Sequence, residues 1–261
     1  VGPKAPAASR NVLGVIDKVG VEVGKKVIEI RKRCRDLMAQ MGGKTIHPVL
    51  GLPGGVSKAV TSEMRDEIKS FAPDAVEFAR FSLKVFNDIV LENKEYLDLI
   101  LSDTYYEKTN YMGMVDDNNK VNFYDGKVRV VDAGGRQIEL FEPDNYLSVI
   151  AEHVEEWSYI KFPYLRKIGW KGFVGGNDSG VVRVAPLARL NTAEGMATPL
   201  AQGEYEKMFE TLGGKPVHNT LAMHWARLVE MLYAAERARE LSDAEELTSL
   251  NIRNMDLKEP G

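Results

Sequence analysis

The chain has 261 residues, 44% of them hydrophobic and 28% charged, with a formal net charge of −4 at pH 7. That composition is ordinary for a globular protein with a real core, in one large domain or two modest ones. The negative balance gives no electrostatic reason to expect nucleic acid, no run of about 18 apolar residues marks a membrane span, and a single cysteine, Cys34, excludes an intrachain disulfide framework and fits a reducing, cytoplasmic compartment.

Val1 to Ser9 is rich in Ala and Pro, has no apolar signal core, and reads as a linker or excised end. The first periodic segment runs from about Arg10 to Met41. Val12, Ile16, Val19, Val23, Val27, Ile30, Cys34, Leu37 and Met41 keep the spacing of one helix face. A single helix of about 30 residues, about 45 Å long, is predicted there. Gly14, Gly20 and Gly24 weaken it and would be tolerated under a close neighbour. Cys34, in phase with the stripe, is expected to be buried. Gly42-Gly43 is a natural stop.

A loop follows, Gly42 to Pro48 and then Leu52-Pro53-Gly54-Gly55. Ser57 or Thr61 could start the second helix, whose spacing persists to about Leu91. Pro73 lies inside it and should kink or divide it, with Ser70 capping the second half. Two long helices joined by a compact loop imply an antiparallel pair.

The period then changes. Tyr111–Val115, Val121–Tyr124, Lys127–Val131 and Gln137–Phe141 are short β-type runs separated by turn residues, with Asp125-Gly126 as a two-residue hairpin signal. An antiparallel meander is predicted. Pro143–Trp157 reads as a helix with Pro143 in its first turn. Residues 162–184 are glycine-rich and irregular, with a short strand near Val181–Val184. Helices are expected around Pro199–Leu212 and from Pro216 or Thr220 to about Leu241, the last burying Leu221, Trp225, Leu228, Leu232 and Ala235. The polar tail after Leu250 carries no packing signal. The fold class is α+β, mainly α, in one domain: helical over 10–105, a β-rich insertion over 110–190, helical over 196–245.

Self-sufficient chemistry is hard to find in this sequence. Gly43-Lys44-Thr45 resembles the end of a P-loop, but Met38 stands where the motif needs its first glycine, and a helix runs into the loop where a strand should. The four histidines, His47, His153, His218 and His224, lack the spacing that puts two imidazoles on one helix face. Glu152 and Glu156, four apart on the expected helix, read as a solvated face. No Gly-x-Ser-x-Gly elbow surrounds a serine. No catalytic residue and no metal ligand is assigned in this chain.

Several longer strings carry a resemblance. Gly42-Gly43-Lys44-Thr45-Ile46-His47-Pro48 with Leu52-Pro53-Gly54-Gly55 is one. Tyr111-Met112-Gly113-Met114-Val115, Val121 to Gly126, and Glu152 to Tyr159 with Lys161-Phe162-Pro163-Tyr164 are others. Pro186-Leu187-Ala188-Arg189-Leu190-Asn191 and His224-Trp225-Ala226-Arg227-Leu228 complete the set. In this order they resemble the middle of a nickel–iron hydrogenase large subunit, of the methyl-viologen-reducing, deazaflavin-non-reducing methanogen type.

The resemblance implies a long-helix bundle of the hydrogenase large-subunit type with a small β meander. It implies a parent enzyme that splits H2 heterolytically at a nickel–iron centre and passes electrons to iron–sulfur clusters in a separate small subunit. That small subunit is the expected partner, with heterodisulfide reductase and an electron-transfer subunit beyond it in methanogenesis. Two cysteine pairs would ligate the metal and both would flank the chain. The chain therefore resembles a truncated central scaffold fragment, inactive alone, with no cofactor expected in it. The loop holding His47 is expected to face the small subunit near its proximal cluster. The alternatives are a deazaflavin-reducing hydrogenase, or a non-catalytic scaffolding or binding module.

Overall fold

A computed structural model describes residues 4–256; Val1 to Pro3 and Leu257 to Gly261, which include parts of the expected linker and tail, lie outside the described residues. The long helices come first: α1 (Val12–Val19), α2 (Val21–Gly42) and α3 (Ser62–Phe86), with strands β1 (Gly51–Leu52) and β2 (Gly55–Val56) between the last two. A π-helical turn over Asn87–Leu91 leads to α4 (Lys94–Leu101). The β-rich part holds β3 (Asn110–Val115), β4 (Lys127–Val131), β5 (Gln137–Phe141), the single turn α5 (Tyr146–Val149), β6 (Ile150–Val154), β7 (Lys161–Leu165) and β8 (Val182–Arg183). Helices α6 (Pro186–Thr192), α7 (Pro199–Thr211) and α8 (Met223–Ser242) follow. The expected mixture of long helices and small sheets is present.

The chain divides into two compact units, Val1–Phe78 with Arg237–Gly261, and Ala79–Glu236. In the first, the expected antiparallel helix pair is present. Arg33 reaches Asp74 at 2.7 Å and Gln40 reaches Glu67 at 2.8 Å, so α2 and α3 run in opposite directions. Ile30, Leu37 and Phe71 form the core between them. Thr61 caps α3 by accepting from the Met64 amide.

The single first helix is corrected to two. Gly20 adopts φ 94°, ψ 147° between α1 and α2, a conformation closed to a helical residue. Gly24 then lets Ile16 approach: a Cβ at Gly24 would lie 3.0 Å from the Ile16 side chain. Cys34 is exposed and not buried. Pro73 does not divide α3, which runs unbroken from Ser62 to Phe86. The tail also packs where none was expected. Val56 donates to Ile252 O at 3.0 Å and Asn254 to Gly54 O at 2.8 Å, so residues 252–254 add to the β1–β2 hairpin.

In the second unit the sheet order is β5-β4-β3-β8, antiparallel except for the β3–β8 pair. β3, β4 and β5 fall where the sequence put them, and β8 lies within the expected short strand. Val121–Tyr124 does not pair as a strand; Val121 makes one isolated bridge to Val115. Asp125-Gly126 is consequently not a hairpin turn. Gly126, at φ 103°, sits against the Val115 carbonyl, where a Cβ would come to 2.2 Å. The expected helix over Pro143–Trp157 is also corrected. After α5 the chain extends into β6, which pairs with β7 from Ile150↔Leu165 to Val154↔Lys161. Glu152 thus lies on a strand and pairs with Lys161 at 2.8 Å, and Glu155 bonds His153 at 3.0 Å.

Candidate functional site

His47 sits at φ 52° in the loop between α2 and β1, exposed, in the first unit. The loop's entry is built by close approach: α2 ends on Gly43 in the left-handed region, and a Cβ at Gly42 would lie 2.5 Å from the Pro48 side chain. Val49 closes the loop by donating to Gly42 O at 3.1 Å. The turn at Leu52-Pro53-Gly54-Gly55 has Gly54 at φ 84°, the conformation that the third position of a type II turn requires.

The richest polar site lies in the second unit, where three of the quoted strings meet. Gly113 on β3 faces α6 so closely that a Cβ would lie 2.5 Å from Thr192 Oγ1 and 2.8 Å from Arg189 Cα. Beside it, the buried Tyr111 hydroxyl lies 2.6 Å from His218 Nδ1 and 3.0 Å from the Val217 carbonyl. His218 Nε2 lies 3.1 Å from the Ala133 carbonyl, which can only accept, so Nε2 carries a proton. Asn191 grips the same segment from both sides. Its Nδ2 donates to Val217 O at 2.8 Å and its Oδ1 accepts from Val217 N at 3.0 Å. Val217 O is therefore satisfied without Tyr111, which leaves the Tyr111 proton for His218 Nδ1. Burial lowers the His218 pKa below its ordinary 6.5, keeping the ring neutral, and burial raises that of Tyr111.

Next to this network, Arg189 forks onto Glu230 at 2.6 and 2.7 Å, with its guanidinium also over the Phe123 ring. Met112, Met114, Phe123 and Arg189 line an open cleft of about 300 Å³. Ala185 at its edge has φ 77°, ψ −173°, a conformation that glycine normally occupies and that costs a side-chain-bearing residue on the order of 1–3 kcal/mol. The cleft is mostly apolar and its one cation is already matched. It offers no free acid or base.

Three cations hold the end of α6. Arg129 donates to Thr192 O at 2.9 Å, Lys120 to Glu194 O at 3.4 Å, and Lys215 to Ala193 O, while Arg129 also pairs with the Glu194 carboxylate at 3.1 Å. Desolvation, then the Arg129 charge, depresses the Lys215 amine to about 8. Two of its three donors go to Ala193 O and to Tyr205 Oη, the latter at 2.8 Å, so the lysine acts as a clasp.

The sequence singles out His47 and leaves His218, Glu230 and Glu236 without roles. Glu236 is 1% exposed and accepts from Thr198 Oγ1, Leu200 N and Ala201 N at 2.6, 3.1 and 2.9 Å, capping α7. One signal could have found it. Glu236 lies four residues beyond Leu232, in phase with the apolar stripe, and an acid in that phase must have buried partners.

No family model matches this sequence. Over 253 residues and 97% of the chain it is 47% identical to a protein of Archaeoglobus profundus named as an iron-sulfur subunit of F420-non-reducing hydrogenase, covering 52% of that protein. The chain is similar to hydrogenase subunits. It is 38% identical to a vhu subunit of the F420-non-reducing hydrogenase of Methanocaldococcus jannaschii, over 97% of the chain and 57% of the relative. It is 32% identical to the beta subunit of the NAD-reducing hydrogenase HoxS of Cupriavidus necator, over 92% and 48%. The chain spans about half the length of the curated relatives it matches. Among solved structures, an NAD+-reducing [NiFe]-hydrogenase in the H2-reduced state matches 96% of this chain and 53% of its own, at TM-score 0.83 and 28% identity. A [NiFeSe] hydrogenase from Desulfovibrio vulgaris Hildenborough matches 95% of this chain and 53% of its own at TM-score 0.58 and 18% identity, a likeness of fold alone.

These relatives correct the expected type of subunit. The resemblance placed the chain in a nickel-binding large subunit, with the clusters in a separate small one. The Archaeoglobus profundus relative is itself named for iron–sulfur. The large-subunit, nickel-binding assignment is withdrawn, and so is the expectation that no cofactor belongs to this protein. A separate iron–sulfur small subunit is not supported as its partner. The deazaflavin-reducing alternative fails too, because the two archaeal relatives are named F420-non-reducing, F420 being a deazaflavin, and the third is named NAD-reducing. The scaffolding-module alternative is not supported either. The reason is physical: a count of thiol ligands on a chain that spans about half the relatives' length does not speak for the metals those relatives hold.

A cluster is held by a set of cysteine thiolates. The sequence offers one thiol, Cys34, exposed on α2. Among the described residues no group of three or more His, Cys, Asp or Glu side chains is placed to bind a metal ion. The residues present do not fit a cluster, so no electron-transfer step is assigned to them. Among the described residues no helix is long and apolar enough to cross a membrane.

Proposed function

We propose that the chain is part of an iron–sulfur-type subunit of a hydrogenase complex, an oxidoreductase acting on H2. The 47% identity across 97% of the chain carries this reading. A subunit so named takes part in moving electrons, since iron–sulfur clusters exchange them. The residues of this chain contribute packing and a surface for other subunits of the complex. The relatives include F420-non-reducing and NAD-reducing enzymes, so a segment of this kind is compatible with more than one electron acceptor.

His47 belongs to that surface. Its loop is exposed and is closed by the Val49 amide donating to Gly42 O and by Pro48 packed on Gly42, so part of the cost of ordering it is already met in the fold. The test uses the full-length protein purified with the subunits that accompany it. H2-dependent reduction of a viologen dye should co-fractionate with the protein, and His47→Ala should loosen retention of at least one other subunit. A complex without H2-dependent reduction contradicts the functional reading; unchanged retention and activity in the His47 variant contradicts the role of the loop.

A further inference from the structure

Helix α2 buries one side against α3 through Ile30 and Leu37. Its other side is a stripe at helical spacing, Val21, Lys25, Ile28, Lys32 and Arg35, all exposed; Val21 and Ile28 are 57% and 60% exposed. Lys25 is paired with Glu22 at 2.9 Å, so Lys32 and Arg35 are the cations the ridge offers, and an apolar ridge beside such cations is a good contact face. The second unit carries the opposite pattern on α4. Glu95, Tyr96, Asp98 and Leu99 are exposed there, with Glu92 just before the helix, and Tyr96 and Leu99 are 47% and 42% exposed. That is an apolar ridge with anions beside it, and Lys94 at the start of the helix is the one exposed cation on it.

We propose that these two stripes are halves of one interface between two copies of this chain, with α2 of one copy docked on α4 of the other. The occupant follows from complementarity. The apolar residues of each stripe supply contact area, and Lys32 and Arg35 on α2 are three residues apart, as are the oppositely charged Glu95 and Asp98 on α4. A contact of two short helix faces is small, so the association is weak and strongly dependent on salt. An anionic lipid surface could engage the α2 stripe but would be repelled by α4, so the two ideas separate experimentally.

The test is sedimentation velocity on the whole chain at about 10 mM and about 1 M ionic strength, where screening lengths are about 30 Å and about 3 Å. Self-association at low salt and its loss at high salt are expected. Lys32→Glu with Arg35→Glu should weaken self-association at least about tenfold, as should Glu95→Lys with Asp98→Lys. An equimolar mixture of the two variants should regain association, because each then offers the half that the other has lost. Circular dichroism on each variant separates a lost contact from a lost fold. If the fold persists but the chain is monomeric at low salt, or if association ignores both charge reversals, the proposal is wrong.

Discussion

His218 ties together separate segments of the second unit. Its ring bonds Tyr111 and Ala133, and its backbone carbonyl accepts from Glu107 N at 3.2 Å and Arg183 Nη1 at 3.4 Å. Burial depresses its pKa in the folded state below 6.5. The sign follows: a histidine held neutral contributes stability that is full above its unfolded pKa of about 6.5 and is lost as pH falls below it. Thermal unfolding of the wild-type chain should therefore weaken from pH 7.5 to pH 5. His218→Phe should be less stable by about 1–3 kcal/mol at pH 7.5, because Ala133 O and Tyr111 lose a partner. It should also show a flatter response over that pH range. Equal pH dependence in the two proteins would remove His218 as the source of the effect. The site is only partly legible at this scale. The sequence shows Tyr111, Asn191 and His218, but no local period links positions so far apart, and only the fold shows that Tyr111 and Asn191 meet at the Val217 carbonyl while Tyr111 reaches His218.

Local rules succeed at the scale of elements where a segment's own chemistry decides its shape, and fail where a distant segment does. β4 and β5 are legible because alternation is strong and Asp132 closes their turn by accepting from Gly134 N at 2.8 Å and Arg136 N at 3.0 Å. α7 is legible from Pro199 in its first turn. Its cap is not, because Glu236 comes from α8. Residues 143–157 read as a helix from Pro143 and then become a strand, because Ile150 to Val154 finds β7 to pair with. The single helix over 10–41 fails at Gly20, whose positive φ no periodicity reveals. The α7 cap yields a prediction. Glu236→Ala leaves Thr198 Oγ1, Leu200 N and Ala201 N without their acceptor at a part-buried helix start, and should cost about 1–3 kcal/mol. Chemical denaturation measures it, and a loss below about 0.5 kcal/mol, the scale of a surface change, would mean the cap is dispensable.

For the molecule as a whole, the strings that suggest a hydrogenase in the sequence are mostly places of close packing. Gly42 admits Pro48, Gly113 admits α6, and Arg189 and Asn191 hold buried partners. They identify a fold and its relatives without carrying the chemistry, which is why the likeness to hydrogenases is legible in them and the type of subunit is not. The claim on which everything rests is that this chain is structurally equivalent to about half of a hydrogenase subunit. The direct measurement is a chimera, with residues 4–256 replacing the matching stretch of the Archaeoglobus profundus relative in its own complex. H2-dependent dye reduction within about tenfold of the parent complex, about 1.4 kcal/mol in barrier, is the expected result. A chimera that folds and assembles yet reduces no dye, or a folded one that the other subunits reject, would contradict it.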